Sequence, residues 1–193
     1  MPATSTQSGG AAAWSVLLLG TMVLATTSVV YLQTRTPTTV VVLGPAEAAK
    51  NGQPNPGLSA AGLERARELV RVIGDLPITG SVAAVFATRY RVSQETAEPI
   101  ARHLDLPVQL VDSANHGPLL RRVASEYRGQ LLVVVTDADA MPGLIKRLLG
   151  GTVIGDDEHN HPDRLYLVTM PRVGAGRAVA LRYGASATVV AGS

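Results

Sequence analysis

Apolar residues fall into three kinds of run along this chain. The longest, Ala11 to Leu32 (AAAWSVLLLGTMVLATTSVVYL), is broken only by Gly20 and scattered Ser and Thr. As a helix it would span about 33 Å, enough for a hydrocarbon core of about 30 Å. Short continuous runs, Thr39 to Leu43 (TVVVL), Ser81 to Ala87 (SVAAVFA) and Leu131 to Val135 (LLVVV), predict strands covered on both faces. Val108 to Val111, Arg164 to Thr169 and Ala178 to Tyr183 are further strand candidates. Between them apolar positions recur at helical spacing. Ser59 can cap a helix carrying Leu63, Ala66, Leu69, Val70 and Ile73, with Gly74 at its end. A second helix holds Ala97, Ile100, Ala101 and Leu104, where Pro99 predicts a kink or a restart near Thr96. A third covers Leu119 to Tyr127, and a fourth carries Met141, Leu144, Ile145, Leu148 and Leu149, with Pro142 in its first turn.

This alternation predicts a three-layer α/β/α sandwich around a mainly parallel sheet. In such sheets ligands sit beyond the carboxyl ends of the strands, so chemistry is expected just after Leu43, Ala87 and Val135. Charge sharpens the division of the chain, because the first charged side chain is Arg35. Residues 1–10 read as a polar N-terminus, 11–32 as a transmembrane anchor (or a signal peptide), 33–38 as a linker and 39–193 as one domain. Trp14 and Tyr31 lie about 25 Å apart along such a helix, where interfacial aromatics belong. No Lys or Arg precedes the run, which favours an uncleaved signal anchor over a cleaved peptide. The expectation is a single-pass membrane protein whose soluble domain is exported, periplasmic or extracytoplasmic. Arg35 alone does not set the orientation.

Zero Cys excludes a disulfide scaffold, thiolate metal sites and a Cys nucleophile. A net charge of +2 without a basic block leaves no footprint for nucleic acid. The partners to expect are the membrane, through the N-terminal helix, and an unknown small ligand or an envelope protein. No cofactor is called for.

Several blocks of the domain carry a family likeness: TTVVVLGPAEAAKNG, PNPGLSAAGLERARELVRVIG, VFATRYRVSQETAEPIARHLDLPV, LLVVVTDADAMPGLIKRLLGG and DRLYLVT. In order and spacing they resemble the histidine phosphatase superfamily, the phosphoglycerate mutase-like fold, and especially its short phosphohistidine phosphatase-like members. The resemblance implies a strand ending in Arg-His, whose His takes the phosphoryl group while the Arg binds its oxygens. It implies a second Arg ahead of the Thr-Ala pair and a second His after a later strand. At the matching positions this chain has Gly44, Pro45, Val92 and Asp137. Proline offers no nucleophile. Gly44 and Val92 supply no positive charge for a phosphoryl group, and a carboxylate at 137 has the wrong sign. One like-charge contact at 4 Å amounts to about 4 kcal/mol at an effective dielectric near 20. The expectation is a pseudophosphatase, a pseudoenzyme with a ligand- or protein-binding role. The alternative is an active phosphatase or hydrolase with an Asp-based site, assisted by a recruited metal.

Other residues near the strand ends keep their own alternatives. Glu47, Asp137 and Asp139 are pocket candidates for a cation or a sugar, while Asp139 can equally cap the helix that follows. Arg89 and Arg91 flank the vacant Arg position, where either can turn in to neutralise Asp137 or stay on the surface. His159 and His161, within Asp156-Asp-Glu-His-Asn-His161, are metal-ligand candidates without a defined third or fourth ligand, and a solvated acidic loop is the plainer reading. His116 reads as a turn residue, with no nucleophile paired to it.

Overall fold

Thr38–Leu43 forms strand β1, buried at every position, because its neighbours on both sides and both faces leave it no solvent edge. The structure is a computed structural model that describes residues 36–76, 80–151, 164–171, 174–183 and 189–190. All of these but Thr36 belong to one unit, Pro37–Ser193. The apolar leader 11–32 and the His159 and His161 pair lie outside the described residues. Among the described residues no helix is long and apolar enough to cross a membrane.

From β1 the chain passes through a loop to helix α1 (Ala60–Gly74), strand β2 (Val82–Thr88) and helix α2 (Arg91–His103). Strand β3 (Val108–Val111), helix α3 (Gly117–Ser125), strand β4 (Leu131–Val135) and helix α4 (Met141–Leu148) follow. Strands β5 (Arg164–Met170), β6 (Arg177–Arg182) and β7 (Val189–Val190) complete the described elements. The sheet order is β3-β2-β4-β1-β5-β6-β7.

The three layers are as expected. Alternate residues of β1 face opposite ways, so Val41 and Leu43 pack with Leu69, Ile73, Ala97 and Ile100 of α1 and α2. Val40 and Val42 pack on the other face with Leu119, Val123, Leu144 and Ile145 of α3 and α4. Each fully buried Val, Leu or Phe contributes about 1.5–3 kcal/mol.

The sheet is mixed rather than mainly parallel. β2 with β3, β2 with β4 and β1 with β4 pair in parallel, whereas β1 with β5, β5 with β6 and β6 with β7 pair antiparallel. The cause is local. A connection as short as 171–176 between β5 and β6 allows only a hairpin, since a parallel return needs a crossover of a dozen or more residues.

The second helix also differs from expectation. It does not restart near Thr96 but runs on from Arg91 with Pro99 inside it. The amide that Pro99 lacks would have bonded the Glu95 carbonyl, a single lost bond that the buried face of Thr96, Ala97, Ile100 and Ala101 outweighs.

Helix α1 begins as predicted, with the Ser59 side chain accepting from Gly62 N at 3.0 Å. Gly62 matters for a second reason. A Cβ there would lie 2.3 Å from the Glu47 carbonyl oxygen, so only glycine lets α1 seat against the loop after β1. Gly62→Ala is therefore expected to destabilise by about 2 kcal/mol in chemical denaturation. Gly74→Ala, at the other end of the helix with nothing within 4 Å, is expected to be neutral or slightly stabilising. Equal effects at the two positions would refute the close-approach argument.

Candidate functional site

Parallel pairing puts three strand ends at one edge of the sheet. Leu43 is in register with Val135, and Val135 with Ala87. The segments that follow, Gly44–Glu47, Arg89–Ser93 and Thr136–Asp139, therefore converge, and the Thr136 amide extends the ladder by donating to the Leu43 carbonyl at 3.0 Å.

Asp137 is the polar centre of this edge. Its Oδ1 lies 3.0 Å from Thr88 Oγ1 and 3.5 Å from Ser93 Oγ, and the two hydroxyls are 2.8 Å apart. Thr88 and Ser93 are 1% and 0% exposed, so this is a buried network with its carboxylate at the rim. A carboxylate only accepts, so the hydroxyls donate to Asp137, Thr88 at the shorter distance. Ser93 stands in the first turn of α2, whose N-terminal end carries partial positive charge that favours an anion nearby. The Asp137 carbonyl, rather than the Asp139 side chain, receives the amides at the start of α4, from Ala140 and Met141, both at 3.0 Å. Asp139 is exposed and caps nothing.

Neither arginine turns in to Asp137. Arg91 pairs with Glu95, Nε to Oε1 at 2.6 Å, while its own amide donates to Asn55 Oδ1 at 2.9 Å. Arg89 is exposed, and its carbonyl accepts from Gln94 Nε2 at 2.9 Å. Glu47 is occupied too: Arg65 grips both of its oxygens, at 2.9 and 2.5 Å. Val92 is half-buried against the small cluster of Ala46, Leu58 and Ala66.

Gly44 is buried, and the Met141 side chain lies beside it. A Cβ built on Gly44 would meet Cε of Met141 at 3.4 Å, and Met141 is itself 2% exposed. An arginine at 44 would have to share its space with the end of that side chain. In sequence Met141 registers only as one apolar position of a helix face. Thr88, Ser93 and Thr96 give no signal beyond their hydroxyls, because the partners that define them lie up to 50 residues away. Among the described residues no three His, Asp or Glu side chains gather as a metal site.

No protein-family profile and no curated protein sequence matches the chain. Solved structures do. The protein histidine phosphatase SixA complexed with tungstate superposes with a TM-score of 0.59 at 15% identity, covering 72% of this chain and 93% of that one. The chain has the histidine phosphatase fold. A putative phosphohistidine phosphatase SixA from Agrobacterium tumefaciens gives a TM-score of 0.53 at 18% identity, over 72% and 94% of the two chains. Mycobacterial glucosyl-3-phosphoglycerate phosphatase with inorganic phosphate gives 0.55 at 16%, again over 72% and 94%. Within this histidine phosphatase fold, Gly44, Pro45 and Asp137 stand together at the carboxyl ends of the central strands, with Val92 in the opening turn of α2.

Glu95 ties the region together, accepting from Leu58 N at 2.6 Å as well as from Arg91. The Leu58 amide holds its carboxyl below the ordinary value of 4.5, and Arg91 adds to this, against an opposing contribution from burial. A depressed folded-state value means that this stabilisation is complete above about 4.5 and is lost as pH falls through the folded-state value. Glu95→Gln is expected to cost about 1 kcal/mol at neutral pH, the charged bonds being partly exposed. The gap between variant and parent, followed by denaturant unfolding, should close in acid. A gap that is constant with pH would contradict the assignment.

Proposed function

We propose that this protein is a membrane-anchored pseudophosphatase, a histidine phosphatase-fold domain that binds without hydrolysing phosphate esters. The observation that carries the reading is the Asp137 network. At the position where the resemblance expects the second His, a carboxylate accepts from Thr88 beside the first turn of α2. The protein thus supplies its own anion where an enzyme of this fold would need cationic groups for a phosphoryl group. An incoming phosphate would meet like charge, no arginine from positions 44 or 92, and the Met141 side chain over Gly44.

Covalent catalysis fails for a separate reason. Pro45 has no side-chain lone pair to attack phosphorus, and Ser93, though close to a carboxylate, is fully buried. The membrane anchor rests on the 11–32 run alone. A binding role is supported by the open surface beside the site. A groove of about 490 Å³ there is lined by Leu58, Leu63 and Pro99, with Arg67, Arg91 and Arg102 around them. Each of these arginines has a carboxylate neighbour on its own helix, Glu64, Glu95 and Glu98 respectively. Exposed pairs of this kind contribute about 0–1 kcal/mol, so they exchange readily for a partner's groups.

The test is phosphate release by the full-length chain from phosphohistidine and from an aryl phosphate, with and without added divalent metal. No turnover above a no-protein control is expected. Turnover that Asp137→Asn abolishes would overturn the reading and establish the Asp-based, metal-assisted hydrolase instead.

A further inference from the structure

We propose that His116 and the first turn of α4 form a proton-operated latch over the vacated site. His116 closes the loop 112–117, which leaves the carboxyl end of β3 and enters α3. Its residue is only 7% exposed, and Nε2 is buried with no hydrogen-bond partner among the described residues. The ring lies against α4, with Cε1 4.0 Å from where a Gly143 side chain would begin. Gly143 shares the opening turn of α4 with Met141, the side chain that covers Gly44. One turn of helix thus has the imidazole on one side and the covered strand end on the other.

The loop is weakly tied except through this ring. Its hydrogen bonds among the described residues are local: Ala114 N to Asp112 Oδ1 at 2.9 Å, Gly117 N to Asn115 Oδ1 at 3.1 Å, and Leu120 N to the His116 carbonyl at 2.9 Å. The first two lie within the loop and survive if it swings outward as a unit, whereas the third ties His116 to α3 and is given up. A neutral imidazole tolerates burial with one unmet nitrogen, whereas an imidazolium brings a second N–H and a full charge that the interior does not meet.

The charged groups around the ring make the opening directional. Arg147 on α4 repels an imidazolium and stays behind when the loop leaves. Asp112 attracts it, and belongs to the same loop, so it travels with the ring. Arg121 of α3 lies beyond Gly117, its Nη1 3.7 Å from a Cβ built there. Burial first, and Arg147 second, push His116 below its ordinary value of 6.5, while Asp112 opposes them. The closed latch is therefore favoured above about 6.5 and is lost progressively as pH falls below it.

The inference rests on the reading of the site as vacated and covered by Met141. Amide exchange reads the latch whether or not phosphate is released, so the two ideas fail separately. Hydrogen–deuterium exchange of the full-length chain is compared at about pH 7.5 and about pH 5, each corrected for intrinsic exchange. Protection of residues 112–117 and 141–144 is expected to fall at least about tenfold at the lower pH, while β1 and β4 keep theirs. His116→Gln should flatten the dependence, and Arg147→Gln should reduce it by letting the closed state accept the proton more easily. Should the His116 variant fail to fold, the imidazole titration of the parent protein by NMR decides. A midpoint clearly below about 6.5 supports the latch. Unchanged protection in the parent, the same loss in His116→Gln, or an ordinary midpoint would overturn it.

Discussion

The segment from Gly44 to Glu47 is clamped from both sides, and the rest of the site follows from that clamp. From α1, Gly62 approaches so closely that the Glu47 carbonyl sits where its side chain would be, and Arg65 holds the Glu47 carboxylate. From α2, the buried Thr96 hydroxyl accepts from Ala46 N at 3.0 Å and donates to the Val92 carbonyl at 2.7 Å. Ser59 N bonds the Glu47 carbonyl at 2.8 Å, and Glu95 fixes Leu58. A buried amide left unpaired costs about 1–3 kcal/mol, so these contacts fix the path of the loop whatever side chains it carries.

This explains an asymmetry in the sequence. The residues that make the resemblance visible, Leu58-Ser59, Gly62, Arg65-Ala66 and Thr96-Ala97, are those that build the clamp and the packing beneath it. Of the residues that depart from the family pattern, Gly44, Pro45 and Asp137 take no part in holding the loop through their side chains, and Val92 only packs beside it against Ala46, Leu58 and Ala66. Fold and chemistry are carried by separable sets of positions, so a domain can keep one and lose the other.

What could be read in advance follows the range of the interactions. Strands β1 and β4 were legible because a run of Val and Leu buried on both faces has few alternatives, and the Ser59 cap because its partner is three residues away. The antiparallel side of the sheet was not, because apolar pattern records burial and not strand direction. The start of α2 was missed because Pro99 is a strong local signal that tertiary packing overrides. The cover over Gly44 and the burial of His116 depend on α4 meeting segments from elsewhere in the chain, which no local window contains.

On the pseudophosphatase reading proposed above, the residues at the four positions make physical sense together. A pocket of arginines and histidines concentrates like charge and is satisfied only when an anion arrives, which makes it a standing cost to the empty protein. Removing the arginines alone would leave a polar hollow at the end of a buried sheet. Here Met141 lies beside Gly44, Thr88 and Ser93 give Asp137 hydroxyl partners, and the first turn of α2 faces a carboxylate instead of a bound phosphate. The substitutions therefore offset one another: the charge that would have repelled a phosphate in an enzyme settles the helix end in its absence. On that argument reinstating any single family residue disturbs a self-satisfied arrangement, because an arginine at 44 has to share its space with the end of Met141 and a histidine at 137 leaves the Thr88 hydroxyl without its carboxylate.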